Sequence, residues 1–121
     1  MGPHLVTTGA ATMKRVTLEL GGKSPTVVLN DADFAAVMPL VLMAGFMNSG
    51  QACIAGTRIL VPRSRLAEFE QVAKEAVSHI RSGDPRNADT DIGPMVSRKQ
   101  WERVQSYIRI GQEEGATLLA G

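Results

Sequence analysis

At 121 residues the chain has the length of one ordinary domain, enough to bury a core without a metal ion or a disulfide. Thirteen basic against twelve acidic residues leave a net charge of +1 with no basic run, so we expect neither nucleic acid nor a membrane among the partners. The single cysteine, Cys53, cannot form an internal disulfide, which favours a reducing compartment, and we expect a cytoplasmic location.

The first predicted elements are a strand and a turn. Residues 1–13 are expected to be an N-terminal extension or the frayed end of a helix. Apolar residues alternate with polar ones over 16–20, which predicts a short half-buried strand that ends at the glycine pair 21–22. Glu19 would lie on the face of that strand opposite the neighbouring leucines.

A buried strand, a buried helix and a second strand are predicted next. The continuous apolar and β-branched run 26–29 is typical of a strand covered on both faces. Asn30 and Asp31 are natural N-caps, and residues 33–47 are apolar on nearly all sides, which predicts a buried helix. Because the run 58–62 predicts another strand, Cys53 is expected near a helix-to-strand junction.

The remaining residues predict two further helices and a last strand. Ser64 is expected to cap an amphipathic helix for which Gly83 is the C-cap, and Ser97 to begin a helix that ends at Gly115. Residues 116–120 look like a strand cut off at the chain end. Strands therefore alternate with helices, which favours an α/β fold with a largely parallel sheet, cut at both ends from a larger domain.

Three motifs, in their order and separation, resemble the NAD(P)-dependent aldehyde dehydrogenase superfamily. Glu19 and Cys53 lie in the first two of them, 34 positions apart. The resemblance runs from about Thr8 to Gly121 and implies, over residues 14–121, a truncated three-layer catalytic domain with a largely parallel sheet flanked by helices. The motifs are VTLELGGKSP at Val16–Pro25, GQAC at Gly50–Cys53 and IGPMVS at Ile92–Ser97.

The resemblance implies a chemistry for the two central residues. Cys53 matches the family's nucleophile, whose thiolate adds to an aldehyde and whose adduct then gives a hydride to the nicotinamide of NAD or NADP. Glu19 matches the general base that activates water to hydrolyse the resulting thioester to a carboxylic acid. The backbone N–H of Cys53 would be one oxyanion donor.

Most of the cofactor site is expected outside this chain, and NAD is not distinguished from NADP. The resemblance implies that Leu20 and Gly21 flank the nicotinamide and that Gln100 lies near a ribose. It also implies a small-molecule aldehyde as substrate and a homo-oligomer for the full-length parent. No metal is expected, since His79 has no second ligand one helical turn away.

Two alternatives stay open at the level of sequence. Ser97 and Gln100 form a Ser-x-x-Gln capping box, which explains both residues without a cofactor. The chain as a whole would alternatively be a non-catalytic truncated remnant or an interaction module, because apolar surface on the strand 27–29 and the helix 34–46 would lack neighbours and favour association.

Overall fold

The computed structural model describes residues 1–121, and it consists of helices around one small parallel sheet. Short 3₁₀ turns at Met47–Gly50 and Arg63–Arg65 lie ahead of the second strand and the third helix. No helix combines the length and the apolar character that crossing a bilayer requires. The helices and strands are α1 (Gly2–Ala10), β1 (Pro25–Val27), α2 (Phe34–Phe46), β2 (Arg58–Leu60), α3 (Leu66–Ser78) and α4 (Arg98–Glu113).

The sheet is a parallel pair, which is the arrangement predicted for an α/β fold. Strands β1 and β2 run side by side with Pro25 opposite Arg58 and Val27 opposite Leu60, and α2 forms the crossover that a parallel pair requires. Where β2 begins, the Thr26 hydroxyl donates to the Gly56 carbonyl at 3.0 Å. A Cβ at Gly56 would overlap that hydroxyl, so the close approach depends on glycine.

The core lies between the sheet, α2 and α3. Phe34, at the start of α2, is 2% exposed and meets the ring of Phe69 from α3 edge to face, with centroids 5.3 Å apart. Met38 and Val41 continue the buried face of α2. An edge-to-face ring pair adds to the free energy gained from burial, so this cluster is the main packing contact between the two helices.

Arg65 fastens the loop between β1 and α2 to the start of α3. One of its terminal nitrogens donates to the Asn30 and Ala32 carbonyls at 2.8 Å each, while the rest of the guanidinium pairs with Glu68. The same group lies 3.8 Å from the centre of the Phe34 ring, within range of a cation–π interaction. A single side chain thereby satisfies two loop carbonyls and covers the core.

The predicted first and last strands, 16–20 and 116–120, are wrong: neither segment is a strand. A strand is stabilised by a hydrogen-bonded partner, and within this chain only β1 and β2 pair as strands. The leucines of the first segment contact α1 instead, since a Cβ at Gly2 would lie 3.3 Å from Leu18 and 3.6 Å from Leu20. Residues 2–10 are helical, while a division of the chain after residue 13 stays a prediction.

The predicted bounds of α3 are also wrong at both ends. Ser64 lies in a 3₁₀ turn and makes no cap bond, and the helix begins after Arg65. It ends at Ser78 rather than near Gly83, because the backbone N–H of Gly83 donates to the Ile92 carbonyl at 3.0 Å and the chain there pairs with a later segment.

The predicted α2 and α4 are confirmed within one or two residues. Asp33 caps α2 by accepting hydrogen bonds from two backbone N–H groups, so the cap lies three and two residues after the candidates at 30 and 31. Ser97 caps α4 by accepting from the Gln100 backbone N–H at 3.2 Å, and Gly115 follows the helix with φ of 91°.

Candidate active site

Cys53 lies in the short connection between the 3₁₀ turn and β2, as its place near a helix-to-strand junction predicted. Its side chain is exposed, and a backbone bond from Ala55 N–H to the Ala52 carbonyl, 3.1 Å long, closes a tight turn around it. The backbone N–H of Cys53 has no acceptor within the chain. A free donor therefore adjoins the only thiol of the protein.

The segment that carries Glu19 passes directly beside Cys53. A Cβ at Gly22 would lie 3.4 Å from the Cys53 carbonyl oxygen, and the parallel pairing that begins at Pro25 keeps the two stretches of chain adjacent. Glu19 itself is exposed and forms no hydrogen bond or ion pair within the chain, and none joins it to the thiol. The fold thus brings the first two motifs to the same end of the sheet.

The loop ahead of Cys53 has an unusual backbone. Three successive residues have left-handed dihedrals, with φ of 54° at Asn48, 58° at Ser49 and 71° at Gly50. Glycine tolerates this conformation and asparagine adopts it more readily than other residues with a side chain, but serine loses about 1–2 kcal/mol in it. Ser49 in particular therefore needs compensating contacts to hold the loop in this form.

Hydrogen bonds to the third motif provide those contacts. The Ser49 hydroxyl donates to the Gly93 carbonyl at 2.9 Å, and the Val96 N–H donates to Gln51 Oε1 at 3.0 Å. The other end of the Gln51 amide donates to the Asn48 carbonyl at 3.1 Å. The second and third motifs, far apart in sequence, are therefore joined through side chains of the loop.

A cavity of about 710 Å³ lies between α4 and the glycine-rich turn. Gln100, Arg103 and Tyr107 line it from one face of α4, and Lys23 reaches it from the turn. The Arg103 guanidinium also lies 5.7 Å from the Tyr107 ring centre. Two cations, an amide and an aromatic ring form a lining suited to a polar anionic molecule with a planar group.

The three predicted cofactor residues are thus not brought together. Gln100 lines the cavity, whereas Leu20 and Gly21 do not. Leu20 contacts α1, and a Cβ at Gly21 would have no heavy atom within 4 Å. Their roles toward a cofactor stay predictions. Sequence reasoning missed Lys23 and Tyr107, although Tyr107 shares a helix face with Arg103 and Gln100 by helical spacing.

The titratable residues do not assemble into a metal centre. No three His, Cys, Asp or Glu side chains are grouped closely enough to bind an ion. His79 instead lies next to its own helix, with Nδ1 2.8 Å from the Glu75 carbonyl and Nε2 3.7 Å from the Glu75 carboxylate.

Comparison of the chain with known proteins gives both a matching family model and similar solved structures. The family model described as the aldehyde dehydrogenase family matches residues 1–121. The chain is 48% identical to aldehyde dehydrogenase C of Pseudomonas syringae, a variant solved with NAD⁺ and octanal, with a TM-score of 0.91 over 99% of this chain and 25% of that one. An NAD⁺-bound aldehyde dehydrogenase of Mycobacterium tuberculosis is 43% identical, with a TM-score of 0.92 over 99% and 25%.

A third similar structure is an aldehyde dehydrogenase of Bacillus cereus, 38% identical, with a TM-score of 0.90 over 99% of this chain and 24% of that one. The chain thus spans about a quarter of the length of the solved proteins that it matches. The sequence match over the whole chain and the similarity of the folds point to the same family. The chain belongs to the aldehyde dehydrogenase family.

Proposed function

We propose that this chain carries the nucleophile and the general base of an NAD(P)-dependent aldehyde dehydrogenase, Cys53 and Glu19 respectively. The observation that carries the proposal is the contact of Gly22 with the Cys53 backbone, because it brings the Glu19 segment and the thiol to one end of the parallel sheet. The substrate is a small-molecule aldehyde, in keeping with the octanal bound by the Pseudomonas syringae relative.

Cys53 performs the first bond-forming step. Its thiol loses a proton to solvent, the thiolate sulfur adds to the aldehyde carbon, the carbonyl π bond breaks, and negative charge develops on the aldehyde oxygen. The backbone N–H of Cys53, which has no acceptor within the chain, is available to donate to that oxygen. The exposed position of the thiol allows the substrate to approach it.

Lys23, Gln100 and Arg103 would hold part of the cofactor, NAD or NADP. Their cavity offers two cations for phosphate oxygens and an amide for ribose hydroxyls, so its chemistry fits such a molecule. Leu20 and Gly21 are proposed to flank the nicotinamide. When bound, the cofactor supplies the hydride acceptor that turns the cysteine adduct into a thioester.

Glu19 completes the cycle by hydrolysis. Its carboxylate takes a proton from water as the water oxygen attacks the acyl carbon, the carbon–sulfur bond breaks, and the proton passes from Glu19 to the leaving sulfur, so that a carboxylic acid is released, the Cys53 thiol is restored and Glu19 is again a carboxylate. The absence of any hydrogen bond or ion pair at Glu19 leaves its oxygens available for a water molecule. A carboxylate at this position also favours hydrolysis of the thioester over transfer of its acyl group to coenzyme A.

Two substitutions in the full-length protein test the assignment. Cys53→Ser should abolish aldehyde oxidation. Glu19→Gln should retain a first burst of reduced cofactor while steady turnover falls by about 10²- to 10⁴-fold, the usual contribution of a general base. The matched control is Glu113→Gln at the end of α4, which should turn over normally. Turnover by Cys53→Ser would refute the proposal. The 121 residues alone should show little activity, because positioning supplies much of the rate enhancement.

A non-catalytic interaction module remains the second candidate. The observation in its favour is an exposed apolar surface, a groove of about 560 Å³ on which Val27, Leu29 and Leu40 are more than half exposed. Such a surface favours association with another chain. Size-exclusion chromatography with light scattering on the 121 residues tests this, since a clean monomer would count against an association module. The homo-oligomer expected of the full-length enzyme is a separate prediction about the complete protein.

A further inference from the structure

We propose that Gln51 is a positioning residue that holds the Cys53 loop in its reactive geometry by fastening it to the third motif. The proposal rests on the assigned role of Cys53 as nucleophile. Gln51 lies two positions before the thiol, and its amide uses both ends. Oε1 accepts from the Val96 N–H at 3.0 Å while Nε2 donates to the Asn48 carbonyl at 3.1 Å.

The two bonds of Gln51 have different partners and different consequences. The bond to Asn48 spans three residues and stabilises the left-handed turn itself, together with the 3.4 Å bond from Asn48 Nδ2 to the Gln51 carbonyl. The bond to Val96 spans 45 residues and fixes the turn in space. A methionine at position 51 would lose both bonds, whereas a glutamate would keep an acceptor for Val96.

The segment that receives the loop is itself anchored. Arg81 accepts backbone bonds from Asp91 at 2.9 Å and Ile92 at 3.1 Å, and Gly83 donates to the Ile92 carbonyl at 3.0 Å. A parallel bridge joins Ser82 to Ile92. The residues that follow, 93–96, are therefore held beside the segment 81–83 just beyond α3, which makes them a fixed support for the loop.

The unfavourable backbone of the loop makes this support necessary. Ser49 adopts positive φ without being glycine or asparagine, so a loop without external contacts would relax toward commoner dihedrals at that residue. Ser49 makes a second contact with the support through its bond to Gly93. Only Gln51, however, both stabilises the turn and fixes it to the support.

The test measures the alkylation of Cys53 by iodoacetamide in the 121-residue chain, relative to a free peptide of residues 50–56. Cys53 is the only thiol, so the reaction reports one site. We expect the wild-type rate to exceed the peptide rate by about fivefold or more, the factor that corresponds to the roughly 1 kcal/mol of one intramolecular hydrogen bond. Gln51→Met should bring the ratio close to one, and Gln51→Glu should lie between them.

Gln112→Met, an exposed glutamine of α4, is the control and should keep the wild-type ratio. Amide exchange at Val96 should accelerate in Gln51→Met alone. A wild-type ratio of one, an unchanged ratio in Gln51→Met, or equal effects of the control would overturn the proposal. If circular dichroism shows that Gln51→Met has lost helix, Gln51→Glu carries the test. Turnover by Cys53→Ser would refute the proposed function and leave this result intact, because alkylation needs no turnover.

Discussion

The packed cluster at Phe34 and the loop ahead of Cys53 are stabilised in opposite ways. Phe34 is 2% exposed, lies in a helix beside another aromatic ring and is covered by Arg65. The loop residues 48–50 are all outside the core, have positive φ and are held by hydrogen bonds to distant residues. Burial therefore stabilises the fold, whereas a few polar contacts hold the thiol in place.

This difference separates the residues that keep the chain folded from those that shape the site. A buried cluster gains free energy from every apolar atom that it removes from water, so single substitutions there act on the whole domain. Hydrogen bonds in an exposed loop each contribute little to global stability. We expect substitutions in the loop to change the reactivity of Cys53 strongly while changing the free energy of unfolding only slightly.

The largest effect is expected from Phe34→Ala, which should lower the free energy of unfolding by about 3–5 kcal/mol because it empties the centre of the core. That loss is a large part of the roughly 5–15 kcal/mol that stabilises an ordinary domain. Urea unfolding followed by circular dichroism measures it. Phe46→Ala, at the far end of α2 and 39% exposed, is the control and should cost clearly less. Equal losses in the two variants would contradict the central place of Phe34.

A smaller effect is expected from backbone strain in the loop. Ser49→Ala and Ser49→Gly both lose the bond to the Gly93 carbonyl, but only glycine is free of strain at φ of 58°. We therefore expect the glycine variant to be more stable by about 1 kcal/mol in urea unfolding. The same pair of substitutions at Ser106, inside α4, should show the opposite order. A more stable alanine variant at position 49 would show that the loop is not strained there.

The smallest effect expected is on the loss of folding stability at acidic pH. The hydrogen bond from Arg65 holds the pKa of Glu68 below its ordinary value of 4.5. A lowered pKa in the folded state means that the pair stabilises the protein above that ordinary value and that this contribution is lost as the pH falls through the lower, folded pKa. We expect the urea midpoint to drop less on acidification from pH 6 to pH 3 in Glu68→Gln than in wild type.

Glu70→Gln is the control for this measurement, because Glu70 has no ion-pair partner within the chain. The difference between the two variants should shrink in high salt, since the Arg65–Glu68 pair is open to solvent. An acid response in Glu68→Gln identical to that of Glu70→Gln would mean that the pair does not contribute to folding.

Sequence reasoning predicted the elements whose signals are local. The helix α2 follows from a long apolar run without a charged side chain, although its cap is Asp33 rather than the candidates at 30 and 31, and α4 follows from Ser97 and Gly115. The strand predicted over 16–20 failed, because alternation describes a surface suited to pairing and does not supply the partner. The helix cap predicted at Ser64 failed because Arg65 bonds to the carbonyls of another loop and the helix begins there.

The candidate site likewise has features with a local sequence signal and features that depend on residues distant in sequence. The motifs around Glu19 and Cys53 are each an unbroken stretch of sequence, and the separation of 34 positions between the two residues can be counted in the sequence. The contacts of Ser49 and Gln51 with residues 93–96 were not, because they join side chains to backbone groups that are 44 and 45 positions away. No composition or periodicity marks such a bond, and the backbone pairing of Arg81 with Ile92, which anchors the third motif, likewise joins residues that are distant in sequence.

Gly56 limits how the sequence of this region can vary. It is buried, donates to the Ala44 carbonyl at 2.9 Å, accepts from the Thr26 hydroxyl and lies three positions after Cys53. Because even one methyl group there would overlap Thr26, the chain has no small mutational step at this position, and an insertion between Cys53 and Gly56 would shift the thiol against the sheet. We therefore expect the number of residues between Cys53 and Gly56 to tolerate neither insertion nor deletion.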